Sequence, residues 1–235
     1  MDCYVSEINN AHHEYITALS ENPFLTRCRN GLITIDELKF FLVQQGIYSR
    51  NFIRYLCALM SNLASNEDVR DLADNLFEEL GLEGGHAGVP HHVMYRRMLD
   101  RFGLSIEAAQ PTEATRTLIA QMLNHCRNPN PAWGLGAICL GAEALVPAVY
   151  SDILAGFAGC GVDEDQLDFF RIHIDCDDGH AETLRTIMVR TAILDPGQLP
   201  IMLQAGRDLV EARFDFFSSL QDRTAAPAFR EATEA

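Results

Sequence analysis

Lysine is nearly absent from this chain: of eighteen basic residues in 235, only Lys39 is a lysine and the rest are arginines. A mechanism built on a Schiff-base lysine has a single candidate and is a poor expectation. Basic charge as a whole is also short. Eighteen Lys and Arg face thirty-three Asp and Glu, a formal charge of −15. The chain thus lacks the positive field that nucleic acid or an anionic membrane would require. The seven cysteines are odd in number and contain no CxxC pair, which leaves no closed disulfide framework. The opening residues MDCYVSEINN have neither the basic nor the apolar region of a secretory signal, so a reduced, cytoplasmic protein is expected. A clean apolar run long enough to span a bilayer is missing too, since the best stretch, from Trp133 to Tyr150, contains Glu143 and Pro147. It reads as a buried helix whose one carboxylate needs a reason to be there.

What is present is helical periodicity, with 48% hydrophobic residues and Gly and Pro falling mostly between periodic segments. The expected class is all-α, with seven to nine helices over 4–20, 34–47, 50–63, 66–82, 90–103, 111–127, 132–158, 163–194 and 197–221. Thr34 with Glu37 predicts a capping box, Asp163 with Gln166 another helix start, and Pro111-Thr112-Glu113 a third. A glycine-rich break lies at Gly81–Gly88. No internal repeat or long linker divides the chain, so residues 1–223 are expected to form a single domain. The small, polar tail 224–235 is expected to be disordered.

The 163–194 helix carries polar residues on its apolar face. At about 100° per residue, His173, Asp177 and His180 fall within roughly 60° of one another, among Phe169, Phe170 and Leu184. Asp168, Arg171, Asp175, Asp178 and Glu182 already supply a polar face on the other side. An unpaired buried carboxylate costs several kcal/mol unless a donor, a proton or a metal ion compensates it. One inward histidine is ordinarily a satisfied core residue. Three inward groups at i, i+4 and i+7 point to metal.

Other helices offer partners. Glu143 is the only charged residue between Trp133 and Ser151, and Pro147 four residues on removes the helical donor to its carbonyl, which predicts a bend. In the 66–82 helix Glu78 aligns with Asp71 and Asp74 on an acidic stripe facing solvent, whereas Glu79 lies on the side of Leu72 and Leu76. With Pro90 at the first helical position, His91 aligns with Met94, Tyr95, Met98 and Phe102, and His92 turns toward the flank. His86, in the glycine-rich loop, and His92 are held in reserve. Glu79, His91, Glu143, His173, Asp177 and His180 together make three carboxylates and three imidazoles, a donor set that suits Fe(II) or Mn(II) and, having no Cys, argues against a structural zinc.

The segments NLFEELG at 75–81, HHVMYRRML at 91–99, GAEALVP at 141–147 and FFRIHIDCDDGHAETL at 169–184 resemble the haem-oxygenase-like di-iron oxidases, the iron-containing redox enzymes grouped with the TenA and PqqC proteins. The resemblance implies a haem-oxygenase-like helical bundle, a homodimer, and two iron ions held by those same six residues. It further implies dioxygen as co-substrate, through a peroxo-di-iron(III) species that oxidises a small metabolite. Members that make p-aminobenzoate at their own expense resemble this chain over Asn22–Gly31. They carry a reactive tyrosine where Leu25 stands and a lysine near Ile153, so that route is not expected here. An amino-acid-like or amine substrate is expected from the small, glycine-rich 134–141 stretch, with its carboxylate partner sought among Arg27, Arg29, Arg50, Arg54 and Arg97, and with Tyr95 and Trp133 as candidate pocket residues.

Rival readings stand beside this one. A fatty-acid decarboxylating oxidase would keep the metals. A metal-free TenA-like hydrolase would use a Cys nucleophile, Cys139 or Cys176, and a haem protein would use His12 or His13 as axial ligand. A non-catalytic helical protein would use the inward polar groups only to specify packing.

Overall fold

The structure is a computed structural model that describes residues 2–82, 88–107 and 109–221, without the side chains of Asp2 and of residues 175–178. The described residues are all-α. Eleven helices follow one another: α1 (Asp2–Ser20), α2 (Pro23–Arg29), α3 (Ile35–Ser49), α4 (Phe52–Met60), α5 (Asn66–Glu79), α6 (His91–Arg101), α7 (Glu113–Cys126), α8 (Pro131–Gly141), α9 (Val146–Gly159), α10 (Asp168–Leu194) and α11 (Gln198–Ser219). The two beyond the expected range have distinct origins: α2 is a short helix that periodicity does not mark, and the expected 132–158 helix is two helices.

The predicted starts fare differently. Thr34 Oγ1 accepts from the Glu37 amide while the Glu37 carboxylate accepts from the Thr34 amide, the capping box expected for α3. Thr112 caps α7 through the Thr115 amide. Asp163 makes no side-chain cap; a short 3₁₀ turn occupies Glu164–Gln166, and α10 begins after the fully buried Leu167. Packing of that leucine, rather than a local cap, sets the start of the helix.

Nearly every residue of α8 is buried, as a helix apolar on all sides must be. The run Pro131–Gly159 has the length and hydropathy of a membrane span, but 78% of its most apolar window is covered by the rest of the fold. Its glycines serve close packing. A methyl added to Gly136 would lie 1.9 Å from the Met202 carbonyl oxygen of α11, and one on Gly141 would lie 2.4 Å from Leu209 Cβ. Gly136 and Gly141 therefore bring α8 against α11, and Gly134 brings it against Leu59 of α4 and Cys126 of α7, so the stretch from which an amino-acid-like or amine substrate is expected serves helix packing.

The expected bend near Pro147 is a full interruption. Ala142 leaves helical geometry at φ −135°, ψ −81°, Glu143–Leu145 form one 3₁₀ turn, and Pro147 stands in the first turn of α9, where its missing N–H removes no helical bond. Glu143 thus sits on an irregular turn in the interior, between two helices. The break also frees the Gly141 carbonyl, which accepts from Arg213 Nε of α11 at 2.6 Å.

Candidate metal centre

Four elements converge beside that turn: the C-terminal end of α5, the first turn of α6, the 143–145 turn and the middle of α10. Glu79, Glu143, His173 and His180 are all buried, at 7%, 4%, 7% and 2% exposure. Ligand atoms of Glu79, His91 and His173 lie within 4.8 Å of one another, close enough for a single ion. His91 Nδ1 is 3.1 Å from Glu79 Oε1, and the His91 and His173 rings are 4.5 Å apart. A second group lies next to the first. His180 Nε2 meets Glu78 Oε2, and His180 Nδ1 is 3.9 Å from Glu143 Oε2.

Of the six expected ligands, the structure brings five into this region: Glu79, His91, Glu143, His173 and His180. Asp177 lies in α10, but its side chain is outside the described residues. The reserve His86 and the tail 224–235 are outside them as well, and so is the side chain of Cys176. His92 is exposed and lines the cavity described below. Glu78 is a correction: expected on a solvent stripe, it is half-buried and touches His180.

Local chemistry prepares these groups for a cation. His173 Nδ1 lies 2.7 Å from the Phe169 carbonyl one turn earlier. A carbonyl oxygen only accepts, so Nδ1 carries the proton and Nε2 is left with the lone pair that binds metal. Burial pushes the His173 imidazole down to about 4, assisted by the neighbouring His91, so the ring is neutral at ordinary pH. Burial pulls the Glu79 carboxyl up, but the hydrogen bond from His91 and the surrounding imidazoles outweigh it and leave it below its usual value. Glu143 goes the other way. Its complete burial raises it, against the attraction of His180, and its Oε1 is buried with no hydrogen-bond partner among the described residues. An orphaned buried carboxylate oxygen beside imidazole nitrogens is what a divalent cation would relieve. The residues therefore fit an oxygen- and imidazole-binding metal such as iron.

The centre opens on a cavity of about 460 Å³. Glu79, His91, Glu143 and His173 stand in its wall, Tyr95, Tyr150 and Phe169 contribute aromatic surface, and Arg50, Arg54 and Arg96 lie exposed at its mouth. Tyr95 lines it as expected. Trp133 does not, stacking instead on His125 with ring centroids 5.1 Å apart. Of the arginines considered for a substrate carboxylate, Arg27 is paired with Glu37 and Arg29 with Asp152, and Arg97 is absent from the cavity wall. One that the sequence pattern does not single out, Arg213, is buried and lines the cavity.

Two rivals lose candidates in this geometry. The Cys139 thiol is fully buried and pushed up to about 12, which removes it as a nucleophile. His12 and His13 contact the backbone carbonyls of Ala144 and Asn9, and neither ring faces the cavity.

Comparison with known proteins gives the family and the fold. The family model described as iron-containing redox enzyme matches residues 39–213, and the chain belongs to that family. It is 24% identical to a 4-aminobenzoate synthase of Chlamydia muridarum, over 85% of this chain and 83% of that one. It is 22% identical to a 4-chloro-allylglycine synthase of Streptantibioticus cattleyicolor, over 70% and 63% of the two chains. A domain of Shewanella denitrificans with a heme oxygenase-like fold superposes with a TM-score of 0.75 at 17% identity, covering 94% of this chain and 96% of the other. The fold is haem-oxygenase-like.

Proposed function

We propose that this chain is a non-haem di-iron oxidase or oxygenase that uses dioxygen to oxidise a small amino-acid-like or amine metabolite, by N-oxygenation or by cleavage of a C–C or C–N bond. The observation that carries the reading is the group of buried Glu79 and His173 with half-buried His91, whose ligand atoms are gathered within 4.8 Å in the wall of a cavity. Glu79, His91, Glu143, His173, Asp177 and His180 would hold the two ions, with Glu78 supporting His180. Bound iron would supply the binding and reduction of dioxygen.

The protein's own part is positioning and exclusion. His173 presents Nε2 because its other nitrogen is committed to the Phe169 carbonyl. Tyr95 is fixed by its hydroxyl donating to the Leu42 carbonyl at 2.7 Å, and its ring meets Phe169 edge to face at 4.7 Å. Together with Tyr150 these rings keep one side of the chamber apolar, so that a reactive centre is shielded from bulk water. The 4-aminobenzoate synthases among its relatives suggest biosynthetic chemistry. Leu25 and Ile153 are buried aliphatic positions outside the cavity wall, which supports a route that does not consume the protein's own side chains. We take the enzyme to be a cytoplasmic homodimer.

Anaerobic Fe(II) titration followed by dioxygen, with amino acids, amines and fatty acids added in turn, tests the reading. Uptake of about two iron ions per chain, with a transient visible band whose decay one substrate class accelerates, is the expected result. Tight zinc binding without oxygen chemistry, or no metal uptake, overturns it. Acceleration by fatty acids alone would replace the amino-acid reading with the decarboxylase one.

A further inference from the structure

Arg213 is a buried cation without a buried anion of its own. At 7% exposure it lies in α11, and a guanidinium stays protonated at any ordinary pH. Its partners are neutral: Nε donates to the Gly141 carbonyl at 2.6 Å and Nη2 to the Tyr48 hydroxyl at 2.8 Å, with the Tyr48 ring lying under the guanidinium, 4.8 Å from its central carbon. Among the described residues no carboxylate lies within ion-pair distance of it, although Glu143 is near enough to feel its charge. Those bonds occupy Nε and Nη2, and Nη1 has no acceptor among the described residues. Arg213 and Tyr48 both line the cavity that holds Glu79, His91 and His173.

We infer that Arg213 is the recognition site for a substrate carboxylate, which narrows the substrate class to amino acids over simple amines. The inference rests on the reading of this cavity as an oxidase's substrate chamber. A fixed, planar fork whose two other bonds tie it to the α8 break and to Tyr48 is preorganised for one carboxylate. The exposed Arg50, Arg54 and Arg96 can attract an anion, but they have no rigid frame with which to orient it. An acid seated on Arg213 would lie on the Glu143 side of the metal centre, with its body along Tyr95, Tyr150 and Phe169.

Calorimetric titration of the metal-free protein tests this independently of the iron. The probes are L-norleucine and L-phenylalanine, each beside its amide and its decarboxylated amine, 1-pentylamine or phenethylamine. At least one amino acid is expected to bind roughly ten- to a hundredfold more tightly than its amide and amine, the scale of one charge-assisted pair. Arg213→Gln should erase that preference while leaving Fe(II) uptake intact, and Arg213→Lys should restore part of it. Tyr48→Phe, which keeps the cation and the core ring, should weaken the preference if Arg213→Gln fails to fold. The triple change of Arg50, Arg54 and Arg96 to Gln should leave it in place. Equal binding of acid and amide by the wild type, binding of neither, or an unchanged preference in folded Arg213→Gln or in Tyr48→Phe overturns the assignment. Loss of iron binding in His173→Ala with the carboxylate preference retained would separate the two readings.

Discussion

His173 donates its Nδ1–H to the carbonyl of Phe169, one helical turn earlier on α10, at 2.7 Å. The bond fixes the tautomer and the ring plane, so Nε2 faces Glu79 and His91 already deprotonated. Removing the ring removes a proposed ligand whose orientation has been prepared in advance. His173→Ala is expected to weaken Fe(II) binding by more than ~100-fold, measured by anaerobic titration, while far-ultraviolet circular dichroism stays helical. Unchanged iron affinity would exclude His173 from the centre.

The buried groups also set how the metal-free protein responds to acid. His173 is pushed down to about 4 from 6.5, so between those values the unfolded chain binds a proton that the folded one refuses. Stability from this residue therefore falls as pH drops from about 6.5 toward 4, by as much as about 3 kcal/mol in all. Glu143 acts in the opposite sense, because burial raises it above 4.5 and the folded chain then holds a proton that the unfolded one has lost. The two offset each other in the wild type. Glu143→Gln should unmask His173 and make urea stability fall more steeply with acid, by up to ~1.4 kcal/mol per pH unit. A Glu143→Gln profile parallel to the wild type would contradict the assignment.

Periodicity alone locates the groups that lie in the middle of a helix face. His173 and His180 are inward because the opposite side of α10 is already polar, and Glu143 because nothing around it is. Direction is all that such a pattern supplies. Glu78 points toward the acidic side of α5, but its side chain is long enough, and α10 close enough, to bring its carboxylate onto His180. The α8 break is legible only as a bend, since the donors that compensate it, Arg213 above all, come from 72 residues away. Arg213 itself lies between Leu209, Phe216 and Phe217 on the buried face of α11, and the same helical wheel exposes it once cations are sought as well as ligands. Glycine composition is the weakest guide, because close helix packing and an open pocket favour the same residue.

That ambiguity makes the glycines testable. A methyl at Gly136 would meet the Met202 carbonyl at 1.9 Å, and backbone cannot swing aside as a side chain can. Gly136→Ala should cost more than ~3 kcal/mol in urea unfolding, the upper range of overpacking. Gly179, in the middle of α10, has no described atom within 4 Å of where an added methyl would stand. Gly179→Ala should gain ~0.5–1 kcal/mol by restricting the unfolded chain. Equal effects at the two sites would mean that the α8–α11 approach is not what fixes Gly136.

The contact between Glu78 and His180 gives the last expectation. His180 is only 2% exposed, and its Nε2 is held by the Glu78 carboxylate while Nδ1 faces Glu143. A carboxylate behind a ligating imidazole orients the ring and strengthens its basicity, and its loss ordinarily costs ten- to a hundredfold in metal affinity. Glu78→Ala should therefore weaken the binding of one of two iron equivalents by about that factor, and Glu78→Gln by less, because the amide oxygen still accepts from Nε2–H. The neighbouring change Asp74→Ala, at an exposed position on the same acidic side of α5, should leave both equivalents unchanged. If Glu78→Ala and Asp74→Ala bind iron alike, Glu78 belongs to the surface charge of the protein and His180 is held by other means.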